Sequence, residues 1–468
     1  MPLVLGVDSS TQSTKALLVD ADDGAVVARG SAPHPPGTEV DPRAWLRAFD
    51  EATSGLLERA DAVAVGGQQH GMVALDGAGE PVRDALLWND TRSSSSARAL
   101  IGELGGPQAC ADVLGSVLVA SFTSSKLRWL RDHEPDAAAR VARVMLPHDY
   151  VSAHVAAPGT RPFTDRGDAS GTGYFSAGAR GGVGEWRPDL LCSALGREAE
   201  VPSVVGPGLV AAETRSGKVM AAGTGDNMAA ALGLDLDTED VLISIGTSGV
   251  ASAVAAQSVA DGTGTVTGFA DATGRYLPMV TTMNAAGILD LQARWLGVSH
   301  DELAALALAS TPGAGGVTLS PYYGGERTPN RPDASGTWAG LHSGTTRADL
   351  ARAAVEALLC SLADAVDALV ARTGVEPRRV LLVGGAARNP AVRAIAPALL
   401  GRDVVLPQEG EYVARGAARQ AAWALAGTST PPAWPLPIAG TLTGPPDPEV
   451  RERYAALRDA LHREEETR

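Results

Sequence analysis

One local pattern occurs twice in this chain: a short apolar strand, a loop of small polar residues, and a second apolar strand. The first copy has a strand over 3–7, Asp8 at its end, a polar loop over 9–15 and a second strand over 16–19, with a third strand at 25–29. The second copy has a strand over 241–245, the loop Gly246-Thr247-Ser248-Gly249 and a strand over 250–255. Two unrelated hairpins would look the same. Taken together, the copies point to an internally duplicated architecture with two facing halves. The surrounding stretches alternate in type. A helix is expected over 42–59, where Trp45, Phe49 and Leu56 recur at helical spacing, then a strand over 62–65 and a helix over 94–104. Later come an alanine-rich helix over 347–372, a strand over 380–383 and a helix from about 390. Such alternation predicts an α/β fold with a partly parallel sheet.

A chain of 468 residues exceeds what one hydrophobic core usually organises, so two domains are expected. An acidic break over 235–240 sets the cut, giving domains over 1–235 and 236–430, then a Pro-rich segment and a charged terminal helix over 431–468.

The formal net charge is −15, which disfavours nucleic acid as a partner. Phosphates, if bound, must then be held mainly by backbone N–H groups and a divalent metal. Cys110, Cys192 and Cys360 lie far apart with no CxxC, so neither a disulfide framework nor a zinc ribbon is indicated, and a reduced cytoplasm is the expected setting. The first eight residues lack a basic region, and no apolar run is long enough for a bilayer, so neither a signal peptide nor a membrane span is expected. The sequence leaves room for a homodimer.

Five constellations carry chemistry. Asp8, at a strand end before a polar loop, could hold hydrated Mg²⁺ against a triphosphate or merely form a turn. Gly223-Thr224-Gly225-Asp226-Asn227 precedes a helix-prone stretch over 228–232. Asp226 there could accept a hydroxyl proton, with Asn227 orienting a polyol, or could simply cap the helix. Gln69 and His70 end another strand and offer directional hydrogen bonds to sugar hydroxyls, although a lone histidine is more often structural. Trp88, in Leu87-Trp88-Asn89-Asp90, could line a sugar pocket or sit in a core before a turn. Gly384-Gly385-Ala386-Ala387-Arg388-Asn389 is a glycine turn that would admit adenosine or phosphate close to the backbone. Neither GxGxxG nor the P-loop GxxxxGK[ST] is present. Among only three lysines, Lys15 is the one candidate for a phosphate contact.

Two longer patterns resemble the FGGY carbohydrate kinases. One is Ser121-x-Thr123-x-x-Lys126-Leu127-x-Trp129-Leu130-x-Asp132-His133. The other is Gly336-x-Trp338-x-Gly340-Leu341 followed, after a gap over 342–348, by Asp349-Leu350-x-x-Ala353-Ala354-Val355-Glu356. The likeness runs from Leu3 to about Gly427 and implies two actin-like, ribonuclease-H-like ATPase domains flanking a deep catalytic cleft. Within the family the chain looks most like the kinases that act on D-xylulose. That likeness rests on Gly67-Gln68-Gln69-His70-Gly71, Leu146-Pro147-His148-Asp149-Tyr150, Gly225-Asp226-Asn227 and Gly325-Glu326-Arg327-Thr328-Pro329, with Gln69 standing where Met is frequent.

The resemblance implies ATP and Mg²⁺ as cofactors and Asp226 as general base on the O5 hydroxyl. It implies Asp8 near the metal, and Gln69, His70, Asn227 and Trp88 around the sugar. Thr11, Lys15, Gly246 and Thr247 would lie near the phosphates, and Gly385 and Asn389 near adenosine. Ribulose, gluconate or a pentitol are alternative acceptors. A reading from another class is an actin-like ATPase acting as chaperone or filament, but the chain after Gly427 offers too little for a client domain and that reading leaves Gln69-His70 unexplained.

Overall fold

The computed structural model describes residues 1–178 and 182–466. Contacts divide the chain into two units: Met1–Leu236, Ala255–Pro278 and Glu409–Leu436 form unit 1, and Asp237–Val254, Met279–Gln408 and Pro437–Arg468 form unit 2.

Unit 1 begins with β1 (Leu3–Ser9) antiparallel to β2 (Ser13–Asp20), with Asp8 opposite Lys15. The expected loop therefore shrinks to residues 10–12. Thr14 joins the strand because its buried hydroxyl finds a partner in the His34 ring, 2.8 Å away. The sheet adds β3 (Val26–Pro33), β4 (Ala62–Gly67), β5 (Val210–Glu213) and β6 (Val219–Ala221), in the order β5-β6-β4-β1-β2-β3. A two-residue strand, β7 (Thr224–Gly225), also pairs with β4 and leads into the helix Asp226–Gly233.

Side-chain alternation along β1 gives the sheet two cores. Leu5 and Val7 pack with Trp45 and Phe49, which are buried on the helix Arg43–Ala52. Each such large side chain contributes roughly 1.5–3 kcal/mol by leaving water. The helix stops short of the expected residue 59. The Thr53 hydroxyl donates back to the Phe49 carbonyl at 2.8 Å, and Gly55 then turns left-handed at φ 70°. On the other face, Val4 meets alanines of the helix Tyr412–Ala426. A Cβ on Gly6 would lie 1.9 Å from the Ala414 carbonyl oxygen, so this contact exists only because residue 6 has no side chain. The helix therefore groups with unit 1 although it lies far beyond residue 235.

Unit 2 contains β8 (Asp240–Ile245), β9 (Gly249–Ala253), β10 (Tyr276–Thr282, of which 279–282 belong here), β11 (Arg379–Val383), β12 (Val404–Pro407) and β13 (Ile438–Leu442). Their order is β10-β9-β8-β11-β12-β13. The duplication is visible here. In unit 1, β1 is antiparallel to β2 and parallel to β4, with β3 and β6 outside them. In unit 2, β8 is likewise antiparallel to β9 and parallel to β11, with β10 and β12 outside.

The long helix Arg347–Thr373 starts at a reciprocal cap. The Thr346 hydroxyl accepts from the Asp349 N–H, and the Asp349 carboxylate accepts from the Thr346 N–H at 2.9 Å. The Pro-rich tail is not structureless, since β13 adds to the edge of the sheet, where flanking prolines interrupt no ladder. Among the described residues, no helix is long and apolar enough to cross a membrane.

Candidate active site

Parallel pairing gathers three strand ends at one edge of the unit 1 sheet. Asp8 on β1 lies beside Gly66 on β4, and Gly225 on β7 lies beside Gly67. Asp8, the Gln69-His70 pair and Asp226 therefore leave the sheet on the same side, the carboxyl ends where open α/β sheets present their ligands.

Asp226 is the first residue of its helix and is half-buried. It does not act as the cap, because Gly225 occupies that position. Its Oδ1 accepts from the Asn227 backbone N–H at 2.8 Å and from Asn227 Nδ2 at 3.0 Å. Loss of water pushes its carboxyl up to about 6, against the stabilising bonds from Asn227. Asn227 Nδ2 also donates to Gln69 Oε1 at 2.8 Å, tying the strand end to the helix start. The buried Gln69 Nε2 has no protein partner. His70 lies against Phe122 and Phe269, and its Nδ1 is 2.7 Å from the Gly171 carbonyl.

Asp8 is 5% exposed and accepts from the Ser10 hydroxyl. Burial pushes its carboxyl up to about 7, opposed by Ser10; the Asp226 charge raises it further, and Lys15 lowers it. Lys15 Nζ pairs with Glu411 Oε2 at 2.7 Å, so its charge is already shared with a carboxylate. Among the described residues no cluster of three or more His, Cys, Asp or Glu forms a metal cage. Magnesium needs no such cage, since it keeps several waters and takes one or two carboxylates. Asp8 fits that mode: its charge is destabilised, and the buried Ser9 hydroxyl beside it has no partner.

Trp88 is 42% exposed and so is not a core residue, and its indole N–H donates to the Thr11 hydroxyl at 2.9 Å. The structure thus joins a residue expected at the sugar to one expected at the phosphates.

The sequence reading missed a buried cluster behind Asp226. His148 Nε2 lies 3.1 Å from Asp149 and 3.3 Å from Asp168, all three essentially without exposure. Burial drives His148 down to about 3 and Asp149 up to about 8. Asp168 is raised well above the ordinary range by burial and by Asp165, Asp149 and Asp226. His148 and Asp149 were legible only as family-like residues without a role. Glu411 gave no signal, being 396 residues from its partner.

The expected residues of unit 2 also converge. Gly246, Thr247, Gly385 and Asn389 all line one cavity of about 400 Å³, together with Leu289 and Ala286. A Cβ on Gly385 would meet nothing within 4 Å, so this turn opens onto space. Asn389 has a structural duty as well. Its Oδ1 caps the helix Pro390–Leu400 through the Ala391 and Val392 N–H groups, leaving its Nδ2 for a ligand.

This electrostatic arrangement sets a pH dependence. Where Asp226 serves as the base, protonation stops it accepting a proton, so kcat/KM is expected to fall as pH drops through about 6. Asp8 titrates nearby and feels Asp226, so the acid limb reports the pair rather than either residue. A limb lying near 4, the ordinary carboxylate value, would contradict the desolvation of this site.

Sequence comparison agrees with these elements. The description "FGGY family of carbohydrate kinases, N-terminal domain" matches residues 3–248, and the C-terminal domain of the same family matches residues 241–425. The xylulose kinase of Streptomyces coelicolor is 47% identical over 91% of this chain and 89% of its own length. That of Streptomyces rubiginosus is 44% identical over 100% of this chain and 94% of its own. The crystal structure of xylulose kinase from Bifidobacterium adolescentis superposes with a TM-score of 0.91 at 44% identity, covering 98% of this chain and 99% of that one. With both domain matches spanning two units of the actin-like ATPase fold, the chain belongs to the FGGY family of carbohydrate kinases.

Proposed function

We propose that the protein is an ATP-dependent D-xylulose 5-kinase of the cytoplasm. The observation that carries this reading is Asp226, a carboxylate of raised basicity held by Asn227, which also donates to Gln69, in a chain similar to xylulose kinases at 47% and 44% identity. In the reaction, Asp226 takes the proton of the sugar O5 hydroxyl. The O5–Pγ bond forms as the bond from Pγ to the β-phosphate oxygen breaks, and ADP leaves. Such transfer needs alignment and charge neutralisation more than covalent help.

Gln69, His70, Asn227 and Trp88 are assigned to the sugar. Gln69 presents a donor where a methionine would present none, which favours a hydroxyl neighbour over an apolar one. Thr11 and Lys15 in unit 1, and Gly246, Thr247, Gly385 and Asn389 in unit 2, are assigned to ATP. Asp8 would hold Mg²⁺, which when bound neutralises charge on the phosphates. Three unpaired cysteines support a reducing compartment.

The test is ADP release across a panel of D-xylulose, D-ribulose, gluconate and pentitols. The largest kcat/KM belongs to D-xylulose. A larger value for another acceptor reassigns the substrate, and ATP hydrolysis that no sugar stimulates removes the kinase reading altogether.

A further inference from the structure

Lys126 is a buried amine for which the reaction has no use. It lies on the helix Thr123–His133 and is fully buried. Among the described residues no carboxylate forms an ion pair with it; burial lowers its amine to about 7, against the charge of Asp90, and the group donates to two carbonyl oxygens, His70 at 2.8 Å and Ser121 at 2.5 Å. Burying an ammonium costs several kcal/mol even after relaxation. A carbonyl could be satisfied far more cheaply by a neutral donor, so the location of this one calls for a reason.

The reason lies in its acceptor. His70 has φ 67°, a left-handed conformation that costs a non-glycine residue roughly 1–3 kcal/mol and persists only where its surroundings over-determine it. Its carbonyl receives a second donor, the Thr123 hydroxyl, at 3.1 Å. Two donors on one oxygen fix the orientation of the peptide plane that follows His70. The ring is held separately: its Nδ1–H donates to the Gly171 carbonyl, and Phe122 packs at 5.0 Å between centroids. Thr123 and Lys126 both belong to the Ser121–His133 pattern, to which the sequence alone assigns no chemical role.

We propose that Lys126 and Thr123 are positioning residues that clamp the His70 carbonyl and so aim its imidazole at the sugar. This rests on the reading of His70 as a sugar contact. With Nδ1 donating to the Gly171 carbonyl, Nε2 is the ring nitrogen assigned to the sugar. The clamp fixes where that edge of the ring points.

The test compares Lys126→Met, Thr123→Val and His70→Ala. Methionine fills similar space without leaving a buried charge unpaired. Lys126→Met raises the sugar KM about 10-fold, as loss of a charge-assisted bond predicts, while the ATP KM stays within about twofold. Thr123→Val, which keeps the shape and the ammonium, raises the sugar KM about threefold with the thermal midpoint nearly unchanged. Equal rises in both KM values, or a sugar KM that stays put in Lys126→Met and Thr123→Val while His70→Ala raises it, overturn the clamp but leave His70 as a contact. A sugar KM unmoved by His70→Ala overturns the contact, and the purpose of the clamp falls with it. If Lys126→Met does not fold, the Thr123→Val comparison alone decides.

Discussion

Asp226→Asn lowers kcat at least about 100-fold, the contribution of a positioned general base, while the protein stays folded. The substitution is close to isosteric. Asparagine keeps an acceptor at Oδ1, so the two bonds from Asn227, at 2.8 and 3.0 Å, persist. What disappears is the ability to take a proton. Loss of a negative charge at a helix start costs about 0.3–1 kcal/mol. Against that, the carboxylate is already disfavoured by burial, which raises it to about 6, so its removal relieves desolvation. The two terms oppose, and the thermal midpoint moves little. A second readout accompanies the first. The Asp226 charge is one of the groups that raise Asp8, so the variant lowers the Asp8 titration, seen directly by NMR of its carboxyl carbon. Turnover within about tenfold of the parent would remove the base role, because a positioned base is worth more than that.

The candidate residues that the sequence disclosed in each unit share one physical trait. Asp8, Gln69-His70, Asp226 and Gly385 each sit where an apolar strand runs into small or polar residues, and a strand end is legible locally. The duplicated units were legible for the same reason. Contacts made across long chain separations were not. Glu411 meets Lys15 through the placement of a helix that no local pattern ties to β1. That helix packs by alanine and glycine, so it lacks the large apolar stripe that sequence periodicity detects. Nothing local in the sequence marks Asp149 and Asp168 as buried until the fold encloses them. β13 was hidden among prolines because an edge strand tolerates residues that a central strand excludes. Lys126 was visible as part of a pattern, yet its partner, the His70 carbonyl, is a backbone atom and carries no sequence signal.

The same close packing yields the largest effect expected on stability. Gly416→Ala destabilises unit 1 by roughly 1–3 kcal/mol or more, as overpacking of a tight core does, and lowers the thermal midpoint by several degrees. Helix propensity argues the other way, since alanine in a helix interior is favoured over glycine by about 1 kcal/mol. Geometry decides. A Cβ on Gly416 would lie 1.8 Å from the Ala229 carbonyl oxygen and 2.9 Å from the Gly233 nitrogen. The reciprocal contact is as tight, with a Cβ on Gly233 lying 2.1 Å from the Tyr412 carbonyl oxygen. Both obstacles are backbone, so no side-chain rotation relieves them and one helix must move bodily. Whichever helix yields, the packing of Asp226–Gly233 changes, and its first residue is the proposed base, so kcat falls along with stability. Gly102→Ala in the helix Ser94–Glu103 is the control, because a Cβ there meets nothing within 4 Å. It gains up to about 1 kcal/mol from propensity alone and leaves kcat unchanged. Thermal melts and turnover of the two variants give opposite signs if helix contact governs. A rise in midpoint for both would mean that propensity outweighs the contact and that glycine at 416 is not what lets these helices meet.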